Sequence, residues 1–487
     1  MTTTEQTEQP TRSGPVAVRH LIGGEWSGEA ADERRNPARP DEVVAELPSG
    51  GEQEVDAAIV AAEEALPGWR DTPPPARGAI LARAGELLVA RKAEYGRDLC
   101  AEEGKTLTEA TMEVQRAADI LRYHAGGGWG SIGEHLPSSV PSTHLFTVSE
   151  PLGVVGLITP WNFPIAIPTW KLAPALISGN TVVIKPASLT PVSVQHLAEC
   201  LIEAGLPDGV LNIVIGPGSG VGNKIVGDTR VAGVSFTGST AVGLKIHEIA
   251  AARMARVQLE MGGKNAVLVL DDADPATAAK VVAAGGFGLT GQACTATSRA
   301  IVTPGVHDAF VSALREAAAG FAPGDGQADG VKMGPVVSDS QLGTDLDYLK
   351  IARDEGADVV VGGEASELFF EPTVLAGVDP GMRVAREEIF GPVVSVLEAG
   401  GLDEAIAQVN DSEYGLTAGI VTNDLRAAMR FAKEAQVGVV KVNRPTTGLD
   451  LNAPFGGVKS SSTGTYREQG SVAVDFYTRL KTIYLGT

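Results

Sequence analysis

The sequence predicts an α/β protein with two α/β domains of similar size. At 487 residues the chain is too long for a single hydrophobic core, so two or three domains are expected. Short apolar runs alternate with amphipathic helical segments, first from residue 181 and again from about residue 263. This alternation is typical of βαβ units and a parallel sheet, in which ligands bind at the carboxyl ends of the strands.

The segment before these two series is predicted to be mainly helical. Residues 54–127 carry apolar side chains every three or four positions, interrupted by the loop "GWRDTPPPAR" (68–77). Residues 152–170 carry no formal charge but contain Pro160, Pro164 and Pro168. These prolines would leave backbone groups of a lipid-exposed helix unpaired, so we predict a buried strand followed by a loop.

The two series are defined by their strands and helices. The first comprises the strands "TVVIK" (181–185), "GVLNIVIG" (209–216) and "VAGVSFTGS" (231–239) and the helices "PVSVQHLAECLIEAG" (191–205) and "TAVGLKIHEIAAARM" (240–254). The second comprises the strands "AVLVL" (266–270), "SRAIVTP" (298–304), "ADVVVGG" (357–363), "TAGIVTND" (417–424) and "VGVVKVN" (437–443) and the helix "VHDAFVSALREAAAGF" (306–321).

Composition limits the class of protein. Acidic residues outnumber basic residues, 60 to 39, and the net charge of −21 argues against nucleic acid or an anionic membrane as the main partner. The three cysteines, Cys100, Cys200 and Cys294, form no C-x-x-C pair. We therefore expect a protein of the reducing cytoplasm, without a disulfide. Residues 1–18 lack the apolar core of a signal peptide, which predicts a disordered, solvated tail.

Two segments fit neither series. Residues 131–150 and 474–485 are rich in threonine, β-branched and aromatic residues, and resemble extended strands without a local partner. Because an exposed sheet edge favours association, we expect an oligomer rather than a monomer.

Five polar residues stand after predicted strands or in glycine-rich loops. They are Asn162 in "TPWNFP", Lys185 in "IKPA", Glu260 in "LEMGGKN", Cys294 in "GQACTATSR" and Glu388 in "REEIFGPV". Each alone has a structural explanation, as a turn residue, a surface cation, a cap or ion-pair partner, or an inert buried thiol. Their occurrence together in this order favours a functional site.

Two glycine-rich loops could approach a phosphate group. The loop "IGPGSGVG" (215–222) lacks the third glycine of G-x-G-x-x-G when counted from Gly216 or Gly218, so a tight turn before a helix is favoured. The loop "FTGS" (236–239) ends a strand and opens a helix with small residues that permit close backbone approach.

The segments "PWNFP", "KPA", "FTGS", "LEMGGK", "GQACTATSR", "EEIFGPV" and "PFGG" together resemble the aldehyde dehydrogenase superfamily. The resemblance covers the chain from about residue 20 to its end. It implies two doubly wound Rossmann-like domains: a nucleotide-binding domain (19–130 and 151–262) and a catalytic domain (263–462). It also implies a small β oligomerisation arm (131–150 and 474–487) that joins subunits into a homodimer or homotetramer.

The resemblance also implies roles for individual residues. Cys294 is the nucleophile, because a thiolate can attack an aldehyde carbon and later leave it. The Asn162 side chain and the Cys294 backbone N–H stabilise the oxyanion, and Glu260 activates the water that hydrolyses the thioester. Glu468 occupies a position sometimes assigned to proton relay, where a structural ion pair would look the same. The implied walls of the aldehyde tunnel are Phe163, Trp170, Thr295, Leu449 and Phe455.

The implied cofactor is NADP, with NAD possible, and no metal is expected. The resemblance implies that Lys185 and Glu388 hold the ribose hydroxyls of the cofactor and that Gly238 and Ser239 lie near its pyrophosphate. It also implies a catalytic role for Lys185. Other residues implied to contact the nucleotide are Thr159, Pro160, Trp161, Ser188, Gly218 and Phe390. NAD-preferring members often carry glutamate at position 188, whose carboxylate would repel a 2′-phosphate, so Ser188 favours NADP. Ser188 could alternatively cap the following helix.

The expected substrate is a small-molecule aldehyde. The segments "WNFPIAIPTWK", "GQACTATSR" and "VNRPTTGLDLNAPFGG" are similar to dehydrogenases of 2-oxoglutarate semialdehyde, also named 2,5-dioxopentanoate. Some of those carry an arginine where this chain has Ala166, so Arg444, Lys171 or Arg122 would have to bind the carboxylate. Succinate semialdehyde and aliphatic aldehydes are alternatives.

Two other readings concern the activity itself. An acylating enzyme that transfers the thioester to coenzyme A is disfavoured, because such members generally lack the glutamate that Glu260 supplies. A catalytically silent binding protein on the same fold is disfavoured by the presence of Cys294, Glu260 and Asn162 together.

Overall fold

A computed structural model of the chain describes residues 14–486. The first thirteen residues of the predicted tail, and residue 487 of the predicted arm, lie outside this range. The prediction that the tail extends to residue 18 is wrong at its end. Residues Val16–Ala17 form a strand paired with residues 45–46, and Val16 and Val18 are buried.

The strands are β1 (Val16–Ala17), β2 (His20–Ile22), β3 (Glu25–Ser27), β4 (Asp32–Asn36), β5 (Arg39–Leu47), β6 (His135–Leu136), β7 (Thr143–Pro151), β8 (Val154–Ile158), β9 (Thr181–Lys185), β10 (Leu211–Ile213), β11 (Val231–Thr237), β12 (Arg256–Glu260), β13 (Asn265–Val269), β14 (Thr297–Val302), β15 (Asp358–Val361), β16 (Ala365–Ser366), β17 (Phe369–Phe370), β18 (Thr373–Ala376), β19 (Val393–Glu398), β20 (Tyr414–Gly415), β21 (Thr417–Val421), β22 (Val439–Val442), β23 (Val458–Lys459) and β24 (Thr478–Gly486).

The α-helices are α1 (Glu52–Asp71), α2 (Pro74–Ala90), α3 (Lys92–Glu103), α4 (Leu107–Gly126), α5 (Ala166–Ile177), α6 (Val192–Glu203), α7 (Asn223–Gly227), α8 (Thr240–Ala252), α9 (Pro275–Phe287), α10 (His307–Ala318), α11 (Asp339–Glu355), α12 (Arg383–Arg386), α13 (Leu402–Asn410), α14 (Leu425–Glu434) and α15 (Ala473–Tyr477). No helix within residues 14–486 has both the length and the apolar character needed to cross a membrane.

Two seven-stranded sheets form the frame of the molecule. The first has the order β12-β11-β8-β9-β10-β2-β3, in which β12 to β10 are parallel and β2 and β3 are antiparallel. The second has the order β15-β18-β19-β14-β13-β21-β22, parallel except for the edge strand β15. Strands β8, β9 and β13 are buried at every position, as expected for parallel sheets between helices. The predicted α/β class with two Rossmann-like sheets is confirmed.

The helical layer before the first sheet differs in detail from the prediction. Helix α1 continues to Asp71 and α2 begins at Pro74, so the loop at 68–77 is reduced to two residues. Proline is favourable at the first position of a helix, where its missing N–H would be unpaired anyway. Likewise, the loop predicted to reach residue 170 ends at α5, which carries Pro168 in its first turn.

The two segments outside the α/β series pair with each other. β7 and β24 are antiparallel over nine residue pairs, and β6 adds a third strand on the other side of β7. The prediction of an extended segment from residue 474 is wrong at its start, because residues Ala473–Tyr477 are helical and Phe476 and Tyr477 are buried.

Candidate active site

Strand ends of the first sheet bring several of the predicted residues to one edge. Lys185 is the last residue of β9 and Glu260 the last of β12. In the sheet register Ile158 lies beside Lys185, and Thr237 beside Glu260. Residues 159–163 after β8 and residues 238–239 after β11 therefore leave the sheet at the same edge. The parallel topology explains how residues separated by a hundred positions form one site.

The loop after β8 is fixed by a buried ion pair from the helical layer. The Lys105 Nζ donates to Glu113 Oε2 and to the Asn162 carbonyl, both at 2.6 Å. The other Glu113 oxygen accepts the backbone N–H groups of Ile165 and Ala166, each at 3.1 Å. The Lys105–Glu113 pair therefore fixes Asn162 through its own carbonyl and through the backbone three and four residues after it.

Cys294 follows a strained turn between α9 and β14. Leu289 and Thr290 have φ angles of 56° and 57°, and the Leu289 N–H donates to Glu109 Oε1 at 2.9 Å. The Asn162 Nδ2 donates to the Gln292 carbonyl at 2.9 Å. These contacts place the Asn162 amide beside the backbone that leads to Cys294, with one of its two N–H donors still free for a ligand.

The Cys294 thiol opens into a cavity of about 450 Å³. All five residues predicted to wall the aldehyde tunnel line this same cavity. They are Thr295, which follows Cys294 in the chain, and Phe163, Trp170, Leu449 and Phe455. Trp170 and Phe455 also contact each other, with ring centroids 5.9 Å apart. The cavity therefore suits a small ligand with an apolar body.

Glu260 is buried in a carboxylate-rich environment. Its Oε1 accepts from the Ser462 hydroxyl at 3.0 Å and its Oε2 from the Gly457 N–H at 3.3 Å. Burial, and then the charge of Glu468, raise the pKa of Glu260 well above its usual range. Glu468 itself forms a buried ion pair with Lys171 Nζ, which also donates to Ser235 Oγ at 2.8 Å.

The same surroundings act on Cys294. Burial raises the pKa of the thiol, and the charges of Glu388, Glu260 and Glu468 raise it further. The thiolate form is thus disfavoured at neutral pH until a base removes the proton.

Residues expected to bind the nucleotide lie along the edge of the first sheet and across from it. Lys185 Nζ donates to the Pro186 carbonyl at 3.0 Å, and burial lowers the pKa of Lys185 to about 8. Glu388 accepts the Gly263 N–H at 3.0 Å, and burial raises the pKa of Glu388 to about 7. Phe390, with φ 63°, packs edge-on against Trp161 at 5.4 Å.

This edge fits a polar ligand. The buried hydroxyls of Thr159 and Thr237 have no hydrogen-bond partner among residues 14–486, and both follow or end strands of the first sheet. An unpaired buried hydroxyl is costly and is usually satisfied by water or a ligand. A Cβ atom at Gly218 would meet nothing within 4 Å, so this exposed turn does not crowd the site.

Ser188 is exposed and is not the cap of α6. That helix begins at Val192 with Pro191 before it, and the Ser188 hydroxyl instead donates to the Gly216 carbonyl at 3.5 Å. The capping alternative for Ser188 is therefore wrong, because the chain needs three more residues to turn into the helix.

The cationic residues considered for a substrate carboxylate do not line the cavity. Lys171 is paired with Glu468, Arg122 is paired with Asp119 at 3.5 Å, and Arg444 is exposed. The cavity instead includes Glu109, Glu113 and Arg116 of helix α4, which sequence reasoning missed. In the sequence, these charged residues resemble those on the solvent-exposed face of a helix. The spacing of Glu109, Glu113 and Arg116 at three and four residues, continuing the apolar face, was the signal that could have identified them.

Comparison with known proteins agrees with this geometry. Residues 26–483 match the model of the aldehyde dehydrogenase family. The chain is 52% identical to the alpha-ketoglutarate semialdehyde dehydrogenase of Haloferax volcanii, covering 96% of this chain and 98% of that protein. It is 48% identical to the 2,5-dioxopentanoate dehydrogenase of Saccharolobus solfataricus, covering 93% and 95%.

A solved structure extends the agreement to three dimensions. The structure described as an E. coli NADP dependent enzyme superposes with a TM-score of 0.93 at 36% identity, covering 97% of this chain and 98% of that one. With a family match over almost the whole chain and relatives of about half identical sequence over nearly their full length, the chain belongs to the aldehyde dehydrogenase family.

Proposed function

We propose that the protein oxidises 2-oxoglutarate semialdehyde to 2-oxoglutarate, using NADP. The observation that carries the proposal is the arrangement of Cys294 at the cavity, with the Asn162 amide bonded to the segment before it and Glu260 close enough to raise its pKa. The substrate is inferred from the two relatives, whose names describe the same five-carbon semialdehyde. Succinate semialdehyde, which also carries a distal carboxylate, is the second candidate.

The first step is the attack of Cys294 Sγ on the aldehyde carbon. Its proton passes to Glu260, whose raised pKa makes it a proton acceptor of suitable strength. The carbonyl oxygen becomes an oxyanion, which accepts hydrogen bonds from the free Asn162 Nδ2–H and the Cys294 backbone N–H. Such donors typically contribute about 3 kcal/mol each in the transition state.

When bound, a nicotinamide dinucleotide would supply the oxidant, as the acceptor for the hydride of the former aldehyde carbon. Lys185 and Glu388 are proposed to hold its ribose hydroxyls. The protein is then left with a thioester on Cys294. After Glu260 has released the first proton to solvent, it accepts a proton from a water molecule that attacks the thioester carbon. It passes this proton to the Cys294 sulfur, which leaves as the thiol, and the carboxylate product departs. We propose a cytoplasmic location, where a free thiol nucleophile stays reduced.

The activity is tested by a panel of kcat/KM values for the semialdehydes and butanal, followed by reduced-nicotinamide absorbance. We expect 2-oxoglutarate semialdehyde to be the best substrate.

Cys294→Ala should abolish turnover while nucleotide binding persists, because only the nucleophile is removed. Cys100→Ala and Cys200→Ala, at buried helical positions, are the matched controls and should stay active. Turnover by Cys294→Ala would refute the mechanism.

The role of Glu260 predicts an unusual pH profile. A base is active when ionised, so its raised pKa places the acid limb of kcat at a higher pH than for an ordinary carboxylate. Glu468→Gln removes a negative neighbour and should move this limb to lower pH. Lys171→Met removes a positive neighbour and should move it to higher pH.

Glu260→Gln should lower the deacylation rate by about a hundredfold or more, leaving a pre-steady-state burst of reduced cofactor if acylation survives.

For the pH profile, the contradicting result would be an acid limb of kcat at the same pH in Glu468→Gln and Lys171→Met. That result would show that Glu260 is not the base. Thermal midpoints identify variants that simply unfold.

NADP preference is proposed because Ser188 offers no carboxylate to repel a 2′-phosphate, and because one of the solved structures that this chain resembles is described as NADP dependent. Ser188→Glu should shift the ratio of kcat/KM for NADP and NAD toward NAD by about tenfold or more, which corresponds to roughly 1.4 kcal/mol. Ser340→Glu, at an exposed serine of α11, is the control. A wild-type protein that strongly prefers NAD would overturn this proposal.

We propose that the β6-β7-β24 sheet joins subunits into a dimer or tetramer. Leu480 and Tyr484 on β24 are 71% and 70% exposed, and because they are four positions apart in the strand they lie on the same face. Light scattering should give twice or four times the chain mass of 50.3 kDa.

Leu480→Asp with Tyr484→Asp should shift the protein toward the monomer, whereas Leu425→Asp, at a comparably exposed leucine on α14, should not. A wild-type monomer, or an unchanged mass in the double variant, would contradict the proposed interface.

A further inference from the structure

Arg116 is the basic residue among those that line the Cys294 cavity. It lies on α4 and is half-buried, and the other charged residues at this cavity are Glu109 and Glu113. The cavity is otherwise walled largely by apolar and small side chains. A cation at such a place either neutralises a carboxylate of the protein or is available to one on a ligand.

The acidic neighbours are already committed to other partners. Glu113 accepts from Lys105 Nζ and from two backbone N–H groups. Glu109 accepts from the Thr106 N–H at 3.0 Å and hydroxyl at 2.7 Å, and from the Leu289 N–H at 2.9 Å. Both carboxylates are therefore held by other donors, and neither forms an ion pair with Arg116.

The Arg116 guanidinium is held in place by neutral acceptors. Its Nη1 donates to the Leu449 carbonyl, and its Nη2 donates to Gln469 Oε1 at 2.6 Å. No carboxylate among residues 14–486 forms an ion pair with it, although Asp450 and Asp119 lie near enough to influence its pKa. Arginine has five N–H donors, so three remain free in a group whose position is already fixed.

We propose that Arg116 binds the carboxylate of the substrate while Cys294 attacks the aldehyde at the other end. This inference rests on the proposed semialdehyde function and names the residue that would read its charge. It also accounts for Ala166, since a carboxylate bound from α4 requires no arginine on α5. The expected ligand class is an unbranched aldehyde with a carboxylate at the far end of the chain.

The test compares kcat/KM for succinate semialdehyde and for butanal, which share the four-carbon chain but differ in the carboxylate. Arg116→Leu should lower the value for the semialdehyde by about ten- to a hundredfold and leave butanal within about threefold, because only the charge-assisted contact is lost. Arg116→Lys should retain part of the preference. Arg122→Leu, the same change six residues further along α4 at an exposed site, should leave both values unchanged.

The outcomes separate the two proposals. A wild-type protein with equal efficiency for the two aldehydes refutes the semialdehyde function. A wild-type preference that persists in Arg116→Leu refutes the role of Arg116 alone. Equal losses for both aldehydes in Arg116→Leu would show a structural role instead. If Arg116→Leu does not fold, Arg116→Gln replaces it, because glutamine keeps hydrogen-bond donors but carries no charge. A preference for the semialdehyde that persists undiminished in Arg116→Gln refutes carboxylate binding by Arg116.

Discussion

The buried ion pair of Lys105 and Glu113 is the interaction on which the active site depends. Both side chains are almost completely removed from solvent, at 1% and 3% exposure. Lys105 also lies over the Phe163 ring, 4.6 Å from its centroid, and donates to the Asn162 carbonyl. Removing one partner of such a pair typically costs about 3–5 kcal/mol, since a charge is left buried. The loop that carries Asn162 is therefore fixed by an ion pair whose disruption would strongly destabilise the folded protein.

Helix α4 extends this constraint to the second sheet. Glu109 lies one turn before Glu113 and accepts the N–H of Leu289, within the turn that leads to Cys294. A single helix thus positions the amide donor from one sheet and the thiol from the other. Arg116, one turn further along, faces the cavity formed between them. The relative placement of these groups follows from the 3.6-residue period of α4 rather than from flexible loops.

The sequence could predict the strand-end residues but not the contribution of α4. Lys185 and Glu260 end strands of a parallel sheet, so topology alone brings them to one edge. Glu113 and Arg116 lie in a helix whose charged positions resemble a solvent-exposed face, and Lys105 lies in the short connection before that helix. Burial of a charge is a tertiary property that no local pattern reveals. For the same reason Lys171 was a plausible ligand for a carboxylate, until its partner Glu468 was known, 297 residues away.

The end of the chain was predicted only in part. Alternating β-branched and aromatic residues indicated an extended strand, and residues Thr478–Gly486 form one. The preceding helical turn Ala473–Tyr477 is set by the burial of Phe476 and Tyr477 against the first sheet's helical layer, which no local pattern reveals.

The carboxylates around Cys294 also have a consequence for oxidative damage. Oxidation of a cysteine by peroxide proceeds through the thiolate, and both burial and the charges of Glu388, Glu260 and Glu468 disfavour that form. A resting molecule therefore presents a poorly reactive thiol to oxidants that enter the cavity. The negative charges that oppose deprotonation of Cys294 thus also oppose its conversion to sulfenic acid.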